Sequence, residues 1–119
     1  MDSAGRVFVA DRANNRIQVF DQDGNFIAEW KQFGRPSGLW IDKNDNLYVA
    51  DSQSSDKLNP GFQQGIRMGS AKDGKVTGFI PETKMLGSLE GVGVDGDGNV
   101  YAGYTGAMNL KRFTKKLTQ

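Results

Sequence analysis

The sequence predicts an all-β chain in which one sheet-forming unit recurs, and three observations support this prediction. The order of three apolar residues, alanine and aspartate at residues 7–11 returns forty residues later at 47–51, and a diverged copy begins at Val100. Apolar positions in these segments follow a period of two, which is the period of a strand rather than a helix. Glycine accounts for 16 of the 119 residues and marks the turns between the apolar runs. Together these features indicate a repeat protein built from short strands.

Ten strands are predicted in chain order. The runs are rich in valine, isoleucine and aromatic residues, and turn-forming pairs such as Asp23 and Gly24 interrupt them where tight turns require positive φ. No stretch supports an amphipathic helix over three turns. The predicted strands are 6–11, 16–21, 25–30, 38–42, 46–51, 65–69, 75–80, 90–95, 99–103 and 109–114, with long connections at 31–37, 52–64 and 81–88.

Groups of four strands that recur about every 40 residues are typical of a β-propeller, in which each four-stranded antiparallel sheet is one blade. With strands lettered a to d from the axis outward, the order is bcd, abcd, abc, so we expect a partial propeller of two and a half to three blades. The predicted blades are 5–31, 37–81 and 89–115 within a single domain, 1–119. This order leaves unpaired strand edges in the first and last blades. We therefore expect a segment of a longer propeller, or a chain that self-associates.

The composition narrows the classes of function. The formal net charge is +1 with both signs interspersed, which gives no reason to expect a nucleic-acid or membrane partner. Cysteine and histidine are both absent, so disulfides are excluded and the commonest zinc ligand and general base are missing. The sequence contains no signal peptide pattern and no apolar run long enough to span a membrane, and it assigns no compartment. We expect no cofactor and no metal site.

The repeated motifs resemble those of NHL-repeat propellers. The segments with this resemblance are 9–21, 65–70 with 73–76, and 90–95, and together they extend over nearly the whole chain. Within these propellers, the chain resembles the C-terminal part of bacterial proteins related to peptidyl-α-hydroxyglycine α-amidating lyase. The resemblance implies that the terminal blade of the ring is completed by a strand from the opposite end of the same chain. It says less about activity, because one scaffold hosts many functions.

For the lyase, the resemblance implies a zinc ion held by histidines, with an arginine and a tyrosine near the substrate. Arg12 occupies the motif position of that arginine, and Glu90 stands where the family has a metal-binding histidine before an innermost strand. One carboxylate cannot replace three histidines. Arg12 and Glu90 are therefore weak catalytic candidates, and we expect the chain not to be active as an enzyme by itself.

The long connections are predicted to share one end of the blades, because successive antiparallel connections alternate between the two ends. The connection 52–64 is about nine residues longer than its counterpart in the first blade, and extra loop length concentrated at one end is typical of binding surfaces. An alternative to a ligand-binding role for 59–62 is a mobile turn at 59–61 followed by a packed Phe62 ring. The predicted ligand-binding residues of this face are Arg12, Arg35, Lys57, Asn59, Phe62 and Tyr104.

Other polar and aromatic residues are interpreted as structural. Asp11, Asn14, Asn15 and Arg16 are expected to close the hairpin between the first two strands. The acidic segments 42–46 and 95–99 are predicted to be hairpin turns, because 95–106 lacks the glycine and glutamate that a calcium-binding EF-hand requires. The aromatic residues expected between blades are Trp30, Trp40, Tyr48 and Tyr101.

The C-terminal basic residues offer a third hypothesis, since some NHL proteins bind RNA. We interpret these residues as a solvated edge and tail; they are Lys111, Arg112, Lys115 and Lys116. The leading hypothesis is a non-catalytic propeller segment that binds a peptide or small ligand. It would assemble with itself, as a dimer or larger, or with a missing N-terminal half of the propeller. The alternative is a fragment of a lyase-like enzyme.

Overall fold

The computed structural model describes residues 1–82, 88–105 and 109–114. Ten strands are present in this part of the chain, which confirms the all-β prediction. Every predicted strand end lies within two residues of the observed end, and the fourth and eighth strands begin two residues earlier than predicted, at Pro36 and Ser88. The strands are β1 (Val7–Asp11), β2 (Arg16–Phe20), β3 (Phe26–Trp30), β4 (Pro36–Ile41), β5 (Asn46–Asp51), β6 (Gly65–Ser70), β7 (Val76–Pro81), β8 (Ser88–Val94), β9 (Val100–Thr105) and β10 (Asn109–Phe113).

The strands form three antiparallel sheets in which chain neighbours pair with each other. Blade 1 is β1-β2-β3, blade 2 is β4-β5-β6-β7, and blade 3 is β8-β9-β10. This is the predicted order bcd, abcd, abc, and it is consistent with a partial propeller. One helical turn occurs among the residues described above: Arg12–Asn14 lies between β1 and β2, and Asn15 ends it with a left-handed φ of 55°.

One type of turn recurs at the tight end of the blades. Asp21 accepts hydrogen bonds from the backbone N–H groups of Asp23 and Asn25, both at 2.9 Å. Asp42 and Asp95 make the same pattern at the start of β5 and β9. The hydrogen bonds from the side chain and backbone of the asparagine four residues on hold the pKa of Asp21 and Asp95 below the ordinary value. The hairpin-turn interpretation of 42–46 and 95–99 is confirmed.

Two apolar cores lie between the blades. We call the side of a blade toward the next blade in the chain its forward face, and the opposite side its back face. Alternate side chains point to the two faces. Core 1 lies between blades 1 and 2 and core 2 between blades 2 and 3. The buried residues of core 1 are Ile17, Val19, Phe33, Leu47, Val49 and Ala71, and those of core 2 are Ala50, Ile66, Leu89, Val100, Ala102 and Tyr104.

The innermost strands of blades 2 and 3 approach each other closely at Gly38. A Cβ atom at this position would lie 2.4 Å from the carbonyl oxygen of Glu90 and 3.2 Å from the Cα of Gly91. Only a residue without a side chain permits this backbone contact. Crowding near the axis thus explains the glycine at position 38 of the inner strand of blade 2.

Two of the four aromatic residues expected between blades lie outside the two cores. Trp30 packs against core 1 and Tyr48 against core 2, as predicted. Trp40, however, is 43% exposed and lines an open cleft of about 560 Å³ between blades 2 and 3. Tyr101 is also outside both cores, and its hydroxyl donates to Asp95 at 3.0 Å.

Within the described residues, no helix is long and apolar enough to cross a membrane.

Candidate functional site

The long connections of blades 1 and 2 meet at one end of the molecule, which we call the loop face. Its described parts are 12–15, 31–35 and 52–64. The connections 81–88 and 104–108 were also predicted to lie at this end, but 83–87 and 106–108 fall outside the described residues. The predicted clustering of long loops can therefore be followed for blades 1 and 2.

Three side chains from three different blades meet on the loop face. The Nη1 atom of Arg12 lies 3.4 Å from Oε2 of Glu90, and the Ser52 hydroxyl donates to Oε1 of Glu90 at 3.3 Å. Arg12 follows the second strand of the blade 1 repeat, Ser52 takes the equivalent position in blade 2, and Glu90 lies on the innermost strand of blade 3. The structure thus brings together the two weak catalytic candidates and a serine whose role the sequence did not reveal.

A register shift places the Glu90 side chain at this point. The pairing between β8 and β9 slips between Leu89 and Gly91, so Glu90 is the extra residue of a bulge. A bulge redirects the side chain of its extra residue. Ser37 is the extra residue of the corresponding slip in blade 2, and its hydroxyl oxygen lies 2.8 Å from the carbonyl oxygen of Leu89 and 3.1 Å from that of Ala50. The same backbone irregularity therefore fixes a polar side chain near the axis in both blades.

The Arg12 and Glu90 pair is open to solvent. Their side chains are 44% and 30% exposed, so water screens the ion pair and its contribution to folding is small, about 0–1 kcal/mol. A guanidinium with this exposure can bind a carboxylate or another anion. Any such ligand has to compete with the Glu90 carboxylate.

Arg35 is held between two blades. Its Nε atom donates to Oε1 of Gln53 and its Nη1 atom donates to Oδ1 of Asn15, both at 2.9 Å. Asn15 in turn donates to the carbonyl oxygen of Leu58 at 3.2 Å. These bonds use Arg35 to join the turn of blade 1 to the long loop of blade 2.

The tip of the long loop shows a mixture of packed and free residues. Asn59 is 9% exposed and its amide donates to the Ser54 hydroxyl at 3.2 Å. The Phe62 ring packs against the guanidinium of Arg67, with 5.0 Å from Cζ to the ring centroid. Lys57 is exposed. Of the three loop-tip candidates, Lys57 is thus the one whose side chain faces solvent.

Tyr104 is part of core 2 rather than an exposed contact residue. It is 6% exposed, and its hydroxyl is hydrogen-bonded to the Glu82 carboxylate. Burial, followed by the Glu82 interaction, raises the pKa of Tyr104 far above the ordinary value. The tyrosine stays protonated and joins β9 to the end of β7.

The polar group at the start of the chain's first hairpin is structural, as predicted. Asp11 accepts hydrogen bonds from the Arg16 Nε atom at 2.8 Å and from the Asn14 amide at 3.0 and 3.1 Å. The bond from Arg16, and then that from Asn14, lowers the pKa of Asp11. These contacts close the connection between β1 and β2 and leave the Asp11 carboxylate engaged.

Sequence reasoning missed the buried ion pair beneath the long loop. Asp51 is fully buried, and its Oδ2 atom lies 3.2 Å from Nη1 of Arg67, which is 7% exposed. Burial lowers the pKa of Arg67, while the charge of Asp51 acts in the opposite direction. The repeated alanine and aspartate of 10–11 and 50–51 was the available signal, but it did not distinguish the partly exposed Asp11 from the buried Asp51.

The zinc site that the lyase resemblance implies does not fit this chain. The described residues contain no group of three or more histidine, cysteine, aspartate or glutamate side chains that could hold a metal ion. Histidine is absent from the whole sequence. Glu90, the residue at the histidine position, instead pairs with Arg12 and Ser52.

Comparisons with known proteins match the chain to NHL-repeat proteins. Residues 1–20 match the family described as the NHL repeat. Protein lin-41 of Caenorhabditis elegans is 66% identical over 29 residues, which are 24% of this chain and 2% of that protein. NHL repeat-containing protein 3 of Homo sapiens is 40% identical over 60 residues, or 50% of this chain and 14% of the relative. Peptidyl-glycine alpha-amidating monooxygenase B of Xenopus laevis is 29% identical over 121 residues, or 92% of this chain and 13% of the relative. The chain therefore spans a small part of each relative, and the predicted resemblance is confirmed.

Proposed function

We propose that this chain, which carries an NHL repeat, is a non-catalytic propeller segment that serves as a binding and assembly module and self-associates through its end blades. Repeats of this type bury their faces against neighbouring repeats, and a blade at the end of a row lacks one such neighbour. Self-association supplies the missing neighbour.

The observation that carries this proposal is the pairing of the end strands. Among the described strands, β1 pairs only with β2 and β10 pairs only with β9. Each therefore presents a row of backbone N–H and C=O groups along one edge. Such edges readily pair with another chain, and natural proteins seldom leave them open.

The proposal predicts an oligomer in solution. Light scattering coupled to size-exclusion chromatography, run over a hundredfold range of protein concentration, is expected to give at least twice the 13.0 kDa mass of the chain. The mass is expected to fall toward that of a single chain on dilution, by mass action. A single-chain mass at the highest concentration would rule out self-association.

The loop face supports the binding part of the proposal. Arg12 and Lys57 present exposed cations at this end, and the partly exposed Glu90 adds an acceptor. A surface of this composition suits the carboxylate and backbone groups of a peptide or small acid. The residues that are already packed, Asn59 and Tyr104, would shape the surface rather than contact the ligand.

A lyase-like fragment is the alternative function. Its support is the similarity to the amidating monooxygenase of Xenopus laevis over most of the chain, together with the approach of Arg12 to Glu90. In this alternative Arg12 would bind a substrate carboxylate and Glu90 would serve as a base.

Turnover of a hydroxyglycine peptide at high protein concentration separates the two functions. We expect no turnover above the buffer rate and no stoichiometric zinc by elemental analysis, because the chain lacks the histidines for the site. Turnover that disappears in both Arg12→Ala and Glu90→Gln, and persists in Lys57→Ala, would instead establish the enzyme.

A further inference from the structure

Leu110 is exposed at a position that is buried in the other two blades. Leu110 lies opposite Gly103, as Ile66 lies opposite Ala50 and Ile17 opposite Ala10. These three residues therefore hold the same place on the third strand of the repeat, on the forward face. Ile17 and Ile66 are 0% and 1% exposed, whereas Leu110 is 70% exposed. On the forward face of blade 3, a core position of the repeat is thus occupied by a leucine that the described residues leave largely uncovered.

Val9 shows the same discrepancy at the other end of the chain. It occupies the repeat position of Val49 and Ala102, in the middle of the second strand and on the back face. Val49 and Ala102 are fully buried, whereas Val9 is 41% exposed. The back face of blade 1 therefore also carries an apolar residue at a position that the other two blades bury against a neighbouring blade.

The inner strand of blade 3 has space for a further blade. Gly91 takes the repeat position of Gly38, whose missing side chain admits the backbone of the next blade. At Gly91, and also at Gly93, an added Cβ atom would meet no atom within 4 Å. The glycines of β8 are thus suited to a close approach that no described residue makes.

We propose that the forward face of blade 3 packs against the back face of blade 1 of a second copy, in the geometry of the two interfaces within the chain. This inference rests on the proposed self-association and names the surface that mediates it. Ile17 and Val49 share core 1, and Ile66 and Ala102 share core 2. By the same pairing, Leu110 of one copy meets Val9 of the other.

The second copy is the occupant that these faces fit. The two exposed faces are the two complementary halves of one repeated interface, so the contact between copies is head-to-tail. A head-to-tail contact closes when its rotation completes a ring. Each chain contributes three sheets and two chains contribute six, which lies within the four to eight blades of known propellers. In a closed dimer, the back face of blade 1 and the forward face of blade 3 are therefore covered in both chains.

A disulfide between copies tests the inference directly, because the chain has no cysteine of its own. Equal amounts of Val9→Cys and Leu110→Cys protein are mixed at low concentration under mild oxidation. We expect at least a fivefold greater yield of disulfide-linked dimer in this mixture than in either variant alone. The matched control replaces Leu110→Cys by Leu58→Cys, a position that is 48% exposed on the loop face and is expected to give no such excess.

A second variant gives a readout that does not depend on oxidation. Leu110→Asp is expected to weaken association at least roughly tenfold, because it removes a leucine side chain that the contact would bury and leaves a charge there. Leu58→Asp is expected to leave the association constant unchanged. If the wild-type chain is oligomeric but neither the mixed disulfide nor the Leu110→Asp effect is seen, this interface is wrong and self-association stands. A monomeric wild-type chain would overturn both proposals.

Discussion

Replacing Asp51 with alanine is expected to destabilise the chain by about 3–5 kcal/mol, because the substitution leaves the Arg67 guanidinium buried without its counter-charge. Asp51 accepts hydrogen bonds from the Arg67 side chain, from the Ser54 hydroxyl and from the backbone N–H groups of Arg35, Gln53 and Ser54. All of these donors lose their acceptor together. The long loop and the connection before β4 are anchored at this one carboxylate, so we expect both to loosen.

Urea unfolding at a fixed protein concentration, followed by tryptophan fluorescence, measures the loss. The repeat offers a matched control, because Asp11 holds the same position in blade 1 but is partly exposed and pairs with the solvent-accessible Arg16. Asp11→Ala is expected to shift the midpoint far less than Asp51→Ala. Asp51→Asn keeps the shape and one acceptor oxygen and should fall between them. Equal effects of Asp11→Ala and Asp51→Ala would contradict the role given to the buried pair.

The contrast between these two aspartates shows what the sequence could and could not predict. The repeat placed Asp11 and Asp51 at equivalent positions, and the turn residues around Asp11 were interpreted correctly. The burial of Asp51 comes from the long loop, whose Ser54 supplies both a hydroxyl and an N–H group to the carboxylate. Loop conformation depends on contacts distant in sequence, so periodicity carries no information about it.

The exposed apolar residues of the blade faces show a second property that the sequence did not predict. A period of two predicts which side of a strand a residue occupies, and it assigned strand and core positions through most of the chain. It does not say whether another blade covers that side. Trp40 and Leu110 were therefore predicted to be on strands, but their exposures of 43% and 70% do not follow from that period.

Two candidate residues were placed together by features that only the backbone reveals. The sequence singled out Arg12 and Glu90 through a resemblance, without geometry to join them. Their approach requires the bulge at Glu90 and the packing of three blades around one axis. Ser52 joins them because it is the repeat equivalent of Arg12, a relation that was visible in the sequence although its consequence was not.

Phe33→Ala is expected to destabilise the chain by about 3–5 kcal/mol, the usual cost of removing a buried aromatic side chain. Phe33 belongs to the connection between β3 and β4, yet it is 1% exposed and forms part of core 1. Its ring lies 6.2 Å from the ring of Trp30, measured between centroids. Its edge lies so close to Gly69 that a Cβ atom there would be 2.8 Å from the Phe33 Cζ atom. A loop residue thus fills the space between blades 1 and 2.

The measurement can use Trp30 as its reporter in a Trp40→Phe background, since the chain has two tryptophans. We expect the loss of Phe33 to lower the urea midpoint and to shift Trp30 emission to the red, because water gains access to the indole. Phe26→Ala is the matched control: Phe26 is 56% exposed on β3, so little apolar contact is lost and the midpoint should change little. Phe33→Leu should recover part of the stability by filling part of the cavity. If the free energy of unfolding of Phe33→Ala lies within about 1 kcal/mol of its parent, well below the cost of such a cavity, then Phe33 does not contribute to the contact between blades 1 and 2. The side chains of the strands would then account for that contact.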